Sequence, residues 1–222
     1  DGTEADQDLG NYERFLEQDM GRLNIMTSGL VYRTVIERER NLEYGGKDVQ
    51  MMSDVPDEVI RRFTMLADAQ NPEFVLVEVG GTAGDNENLV FLEAARVLKL
   101  NHPKDVMFVL VSYLPVLGNV GEMKTKPTQH AVRALSSVGI NTDMIIARSA
   151  VPIDTPRKEK ISRICNIHPE DVISAPDVFS IYEIPVNFER DLIGKRILEN
   201  FGLTIKHHDS ALWQKLVDSI HD

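Results

Sequence analysis

Glu78 is the first residue whose type and setting ask for chemistry. It lies inside the apolar run Phe74–Val79, just before the glycine-rich stretch Gly80–Gly84. A carboxylate in an apolar strand is costly unless a cation or hydrogen bonds compensate it. Near a strand end Mg²⁺ could do so, because it takes one or two protein carboxylates and fills its other positions with phosphate and water oxygens. Neighbouring backbone N–H groups are the alternative. The glycines would let backbone approach a ligand closely. The acidic start, with Asp1, Glu4, Asp6 and Asp8, offers a second carboxylate, although such a run is more often simply solvated.

A second group has the opposite charge. Lys124, Thr125, Lys126, Pro127, Thr128 and Gln129 run directly into a helix that Pro127 opens. Two lysines, two hydroxyls and the unpaired N–H groups of a helix N-terminus suit a phosphate. The Gln129 amide offers one donor and one acceptor for a base edge. The plainer reading is a basic loop before a proline-initiated helix. Lys160, on a helix after another strand, adds charge to the same cleft or belongs to a solvated face. The histidines show no zinc-like spacing with Cys165, the single cysteine. Ser149 has no nucleophile-elbow context, and Cys165 reads as core. No G-x-x-x-x-G-K-S/T motif occurs in the sequence.

These groups need a scaffold. Phe74–Val79, Val106–Leu114, Met144–Ala147 and Asp171–Ser174 are apolar runs with little polar alternation, as expected of parallel strands covered on both faces. Helical patterns separate them: Pro56 to Asp68, Glu87–Leu100, Pro127 to Val138 with Gly139 as its stop, and Thr155 to Ile164. The alternation predicts an α/β fold with a doubly wound, mostly parallel sheet, and ligands at the carboxyl ends of its strands. Those ends are the Gly80 loop, Pro115–Thr125, Arg148–Thr155 and Ala175–Tyr182. Asn11–Met20 and Leu30–Arg40 read as helices, Thr204–His208 as a connector and Asp209–His221 as an amphipathic helix.

Composition narrows the function classes. A chain of 222 residues with 42% hydrophobic and 27% charged residues suits one α/β domain or at most two small ones. No run of about 18 apolar residues occurs, so no membrane span is expected. The single cysteine suits a reducing cytoplasm. A net charge of −11 makes nucleic acid a poor partner. A phosphate-bearing small molecule then needs local lysines or a metal.

The motifs in this order resemble the amidoligase (synthetase) domain of CTP synthases. The resemblance rests on DGTEADQDLGNYERF at residues 1–15, VEVGGTAGDNE at 77–87, GEMKTKPTQH at 121–130, KISRICN at 160–166 and VISAPDVFSIYEIP at 172–185. It covers 1–203, leaving 204–222 as a linker and helix leading towards a glutaminase domain. It implies a P-loop NTPase-like domain related to dethiobiotin synthetase. The implied reaction is ATP-dependent amination of UTP to CTP through a 4-phosphorylated intermediate, with ammonia from the glutaminase domain. By resemblance, Asp8 and Glu78 hold Mg²⁺. Asp85, Asn86 and Glu87 contact the pyrimidine nucleotide, especially inhibitory CTP. Lys124, Thr125, Lys126, Pro127, Thr128 and Gln129 bind the UTP or CTP triphosphate, and Lys160 adds a further lysine. Asp8 and Val178 belong to the ATP site, Val178 flanking the adenine. A homotetramer in the cytoplasm is implied, with filament formation left open.

Several positions depart from the family pattern. Ser53 and Asp54 stand where Pro-His is usual, and Ser112 replaces the proline of a V-P-Y segment. The loop from Leu114 to Val120 is longer than expected. The phosphate-cradling loop of the family is expected upstream of Asp1, so the 222-residue chain alone is expected to be inactive. The alternative reading is a non-catalytic pyrimidine-nucleotide sensor or assembly subunit that kept the UTP and CTP loop. A ligase of the dethiobiotin or cobyric acid type is the other rival.

Overall fold

The computed structural model describes residues 6–117, 122–206 and 209–221. Asp1, Glu4, Val120, Gly121, His207 and His208 therefore lie outside the described residues. The chain divides into two units, one of residues 1–81 with Asn86–Leu98, the other of Thr82–Asp85 with 99–222.

The first unit is helical. It contains α1 (Gln7–Leu16), α2 (Ser28–Arg40), α3 (Asp54–Gln70) and most of α4 (Leu89–Asn101), which a 3₁₀ turn at Asn86–Asn88 precedes. Thr27 caps α2 by accepting the Leu30 N–H, which satisfies one orphan donor of the first turn. Val31, Val35, Val55, Val59, Val90 and Ala94 form its core. The helix expected from Pro56 begins earlier, at Asp54. The Asp54 carboxylate accepts the Gln50 N–H at 2.7 Å and ties the incoming chain to the helix start. The unusual Ser53-Asp54 pair thus acts as a local brace.

A buried ion cluster holds α2 to α3. The Glu58 side chain has no exposure. It accepts Arg61 Nε and Nη2 at 2.7 Å each, Arg62 Nε at 2.8 Å and Arg38 Nη1 at 3.1 Å. Arg62 also donates to the Thr34 hydroxyl at 2.8 Å. Burial opposes the Glu58 charge. Hydrogen bonds and the fields of Arg61 and Arg62 outweigh it and hold the carboxyl below the usual range.

The second unit is α/β. Its sheet joins β1 (Val109–Tyr113), β4 (Met144–Ser149) and β5 (Val172–Pro176) in the order β1-β4-β5. Both pairings are parallel, from Val109 opposite Met144 and from Ile145 opposite Val172. Parallel neighbours need crossover helices, and α5 (Lys126–Ser137) and α6 (Thr155–Cys165) supply them. Asp154 caps α6 by accepting the Arg157 N–H at 3.0 Å, and Asn166 ends it in the left-handed region. Met144, Ile145, Ala147, Val172 and Ile173, together with Ile161 of α6, make the core. A small antiparallel pair, β2 (Val116–Leu117) and β3 (Glu122–Met123), occupies the long loop after β1. Then follow α7 (Ile184–Arg190), α8 (Ile193–Asn200) and α9 (Ala211–His221).

The α/β class and parallel sheet expected from the sequence are present. One expected strand is not. Phe74–Val79 forms no strand, and Phe74, Val75, Leu76 and Val77 are exposed, Leu76 at 87%. A strand exists only through a ladder of hydrogen bonds to a neighbour, and neither sheet of the described residues includes this segment. Glu78 is correspondingly exposed rather than embedded in a strand core. β1 carries a milder form of the same feature, since Val109, Val111 and Tyr113 remain exposed on one face.

Candidate functional site

In the first unit, α1 and the Glu78 segment bring acidic groups together. Asp8 lies in the first turn of α1. Partial desolvation raises the Glu78 pKa, and the negative fields of Asp8 and Asp6 raise it further. Tyr12, one helical turn after Asp8, is raised by burial and then by Glu78, Asp8 and Asp6. No ion pair to Asp8 or Glu78 occurs among the described residues. This is a set of carboxylates whose mutual repulsion a cation would relieve. Asp8 and Glu78 fit the two-carboxylate set that Mg²⁺ uses alongside phosphate and water oxygens. No group of three or more His, Cys, Asp or Glu able to hold a metal occurs among the described residues. The Glu78 carboxylate lies beside Gly80, where a Cβ would make only ordinary contact at 3.6 Å from Oε1, so this position does not require glycine. Gly81 has φ +90°, and a Cβ would meet the Asn88 amide at 2.7 Å, so this turn requires glycine.

Asp85 belongs to the second unit, whereas Asn86 and Glu87 belong to the first. Gly84, beside Asp85, packs on α5, where its Cβ would meet the Ala134 Cβ at 3.0 Å. Asp85, Asn86 and Glu87 are all exposed.

The parallel strands of the second unit end on one side, and two groups lie there, the lysine loop and a cavity. After β1 comes the lysine loop. Pro127 sits in the first turn of α5. Thr125 is buried, its hydroxyl accepting the Gln129 amide at 3.0 Å. Thr128 is fully buried, with its hydroxyl 2.9 Å from that of Ser112 in β1. Ser112, the departure from V-P-Y, thereby fixes the helix start against the sheet. The two hydroxyls anchor the loop from inside, so its outward chemistry rests on Lys124, Lys126 and the helix N-terminus. Lys126 is exposed, and Lys124 donates to Glu122 at 2.6 Å. Glu122 is held below the usual carboxylate range by the hydrogen bond and field of Lys124, with further lowering from Lys160 and Arg157. Lys160 on α6 therefore shares the positive field of the lysine loop.

After β4 and β5 lies a cavity of about 370 Å³ lined by Arg148, Ala175, Pro176, Asp177, Val178, Ile181, Ile184, Asn187 and Phe188. The Arg148 guanidinium donates to Asp177 at 3.1 Å across the strand ends. The Asp177 N–H continues the ladder by donating to the Ser149 carbonyl at 2.9 Å. Ser149 is buried and donates to the Val151 carbonyl, which fits no nucleophile. Cys165 is buried, and burial raises its thiol pKa.

The expected residues thus fall into four sets, with Asp8 and Glu78 together, the exposed Asp85, Asn86 and Glu87, Lys124 to Gln129 with Lys160, and Val178 in the cavity. Sequence reasoning missed Arg148, Asp177, Asn187 and Tyr12. Arg148 and Asp177 were detectable as charged residues at two strand ends, and Tyr12 as the i+4 neighbour of Asp8. Asn187 gave no signal, because a polar residue within an amphipathic helix looks solvated.

No helix among the described residues is long and apolar enough to cross a membrane. The family model for the CTP synthase N-terminus matches residues 1–203. A CTP synthase of Pyrococcus abyssi is 47% identical over 218 residues, covering 98% of this chain and 40% of that protein. CTP synthases of Methanothermobacter thermautotrophicus and Nostoc punctiforme are 46% and 40% identical, over 99% and 100% of this chain. The chain spans about 40% of the length of these relatives, in each case 40–42%.

Proposed function

This chain belongs to the CTP synthase family by its match to the family's N-terminal part, and from that premise we propose that it is the amidoligase part of a CTP synthase. The reaction transfers the γ-phosphoryl group of ATP to O4 of UTP. Ammonia then attacks C4, and phosphate leaves with the former O4, giving CTP, ADP and phosphate. Phosphorylation turns a poor leaving oxygen into a good one. Glutamine hydrolysis elsewhere in the full-length protein supplies the ammonia.

The observation that carries this reading is the gathering of a lysine loop and a mostly apolar cavity at the ends of three parallel strands. Lys124, Lys126, Lys160 and the start of α5 neutralise the UTP or CTP triphosphate. Asp85, Asn86 and Glu87 contact the pyrimidine nucleotide. The cavity receives the adenine of ATP beside Val178, with Arg148 at its rim. Asp8 and Glu78 hold Mg²⁺, which when bound supplies charge neutralisation for the phosphates. The chain's own residues bind, orient and neutralise; no protein nucleophile is required. Homotetrameric assembly and feedback inhibition by CTP belong to the same reading.

The test is an assay of the full-length protein carrying this chain, with UTP, ATP, Mg²⁺ and NH₄⁺. CTP formation with stoichiometric ADP is the expected result. CTP binding without any turnover would instead identify a non-catalytic sensor.

A further inference from the structure

The segment between β5 and α7 has two faces. Val178 and Ile181 line the cavity on one side. α9 grips the segment on the other. The Trp213 indole N–H donates to the Tyr182 carbonyl at 2.7 Å, and the Tyr182 and Trp213 rings lie 6.1 Å apart at 55°. One end of α9 adds a second hold, with His221 Nε2 3.5 Å from Glu183 Oε1 and its ring 6.0 Å from that of Phe179. Val217 of α9 is buried. The segment also braces itself. Ser180 and Glu183 form a reciprocal capping box around the 3₁₀ turn Ile181–Glu183, with the Ser180 N–H donating to Glu183 at 2.8 Å.

An indole N–H has one donor and no acceptor, and a half-buried indole usually places it on a fixed partner. Here that partner is the backbone of a three-residue turn whose first residue, Ile181, forms cavity wall. Moving the carbonyl means moving Ile181. We propose that Trp213 is a positioning residue for the cavity's ligand: its hydrogen bond sets the wall that meets the purine base, without itself touching that base. The inference rests on the reading of the cavity as the ATP adenine site. It gives α9 a role in nucleotide affinity. Displacement of α9 would change affinity for ATP and leave affinity for UTP alone.

The experiment uses the full-length protein and the substitution Trp213→Phe, which keeps an aromatic ring and removes the donor. Loss of one neutral hydrogen bond predicts a rise in KM for ATP of about five-fold, with kcat and the KM for UTP within about two-fold of wild type. Leu212→Ala, on the exposed side of α9 at 79% exposure, leaves all three unchanged. A second readout guards against a folding defect. Adding a non-hydrolysable ATP analogue shifts the Trp213 emission, taken as the difference between wild-type and Trp213→Phe spectra, whereas UTP alone does not. Unchanged KM for ATP in Trp213→Phe, or an equal rise in both KM values, overturns the proposal. A wild-type enzyme whose rate does not depend on ATP overturns the adenine reading and this inference with it.

Discussion

Two glutamates of the first unit show how one side chain serves two ends. Glu58 has no exposed side-chain surface and faces Arg38, Arg61 and Arg62. Glu78 is exposed and faces Asp8 and Asp6. Their pKa values move in opposite directions, Glu58 down because its arginines outweigh burial, Glu78 up through partial desolvation and then the fields of Asp8 and Asp6. A carboxylate surrounded by cations has its partners and serves the fold. A carboxylate surrounded by carboxylates stores repulsion that folding alone does not relieve, and such unrelieved groups concentrate at binding sites. Burial by itself therefore points the wrong way here: the buried acid is structural and the exposed one is the candidate ligand.

The largest expected effect breaks the pair by function. Glu78→Gln removes a charge from the proposed Mg²⁺ set, and losing several kcal/mol of charge stabilisation lowers kcat/KM by about a thousand-fold. The same variant, free of metal, is at least as stable as wild type, because it removes a repelling charge. Mg²⁺ with ATP raises the Tm of wild type and not that of the variant, as ligand linkage requires. Loss of stability without loss of activity would place Glu78 with Glu58.

Glu58→Ala should do the reverse. Removing one member of a buried charge cluster strands the others. Arg38, Arg61 and Arg62 keep 30%, 42% and 20% exposure and reach water in part, so the expected cost is near the lower end, about 3 kcal/mol in urea denaturation. The cost does not depend on Mg²⁺. The acid limb of stability follows from the same cluster. A carboxyl whose folded pKa is depressed contributes fully above its unfolded value, here near 4.5. Its contribution is lost as pH falls below that value and through the folded one. Wild type should therefore lose stability relative to Glu58→Gln only below about pH 4.5, as urea midpoints across pH would report. A loss centred near neutrality would mean that Glu58 is not held ionised by its arginines.

How much of this was legible in the sequence follows from what kind of information each feature needs. Met144–Ala147 and Phe74–Val79 are both apolar runs that read as strands. The first lies between β1 and β5 with Met144, Ile145 and Ala147 fully buried; the second joins neither sheet of the described residues, and Phe74 to Val77 stay exposed. Apolar pattern reports the wish for burial, while pairing depends on residues elsewhere in the chain. The α5 and α6 starts were legible because proline, aspartate and threonine encode them locally. The lysine loop was legible for the same reason, as charge at a helix start. The inward turn of Thr128 was not, since its hydroxyl meets Ser112 from another element. The Glu58 cluster was hidden too: its arginines at positions 38, 61 and 62 look like solvated charge until α2 and α3 pack.

The smallest expected effect falls on Leu76, two residues from Glu78, and it tests the frame in which the two glutamates are compared. In a buried parallel strand, Leu76 would be core, and Leu76→Ala would cost about 2–5 kcal/mol. At 87% exposure the side chain has little packing to lose. Truncation should then shift stability by no more than about 0.5 kcal/mol, read from urea midpoints of the full-length protein with an unchanged m-value. Ile145→Ala, at a site with no exposure, supplies the contrast on the same instrument and should fall in the larger range. If Leu76→Ala costs as much as Ile145→Ala, Phe74–Val79 is a packed strand in the full-length protein. Glu78 then sits in a strand core as Glu58 sits in its arginine cage. The difference between them would then reside in their partners alone and no longer in their exposure.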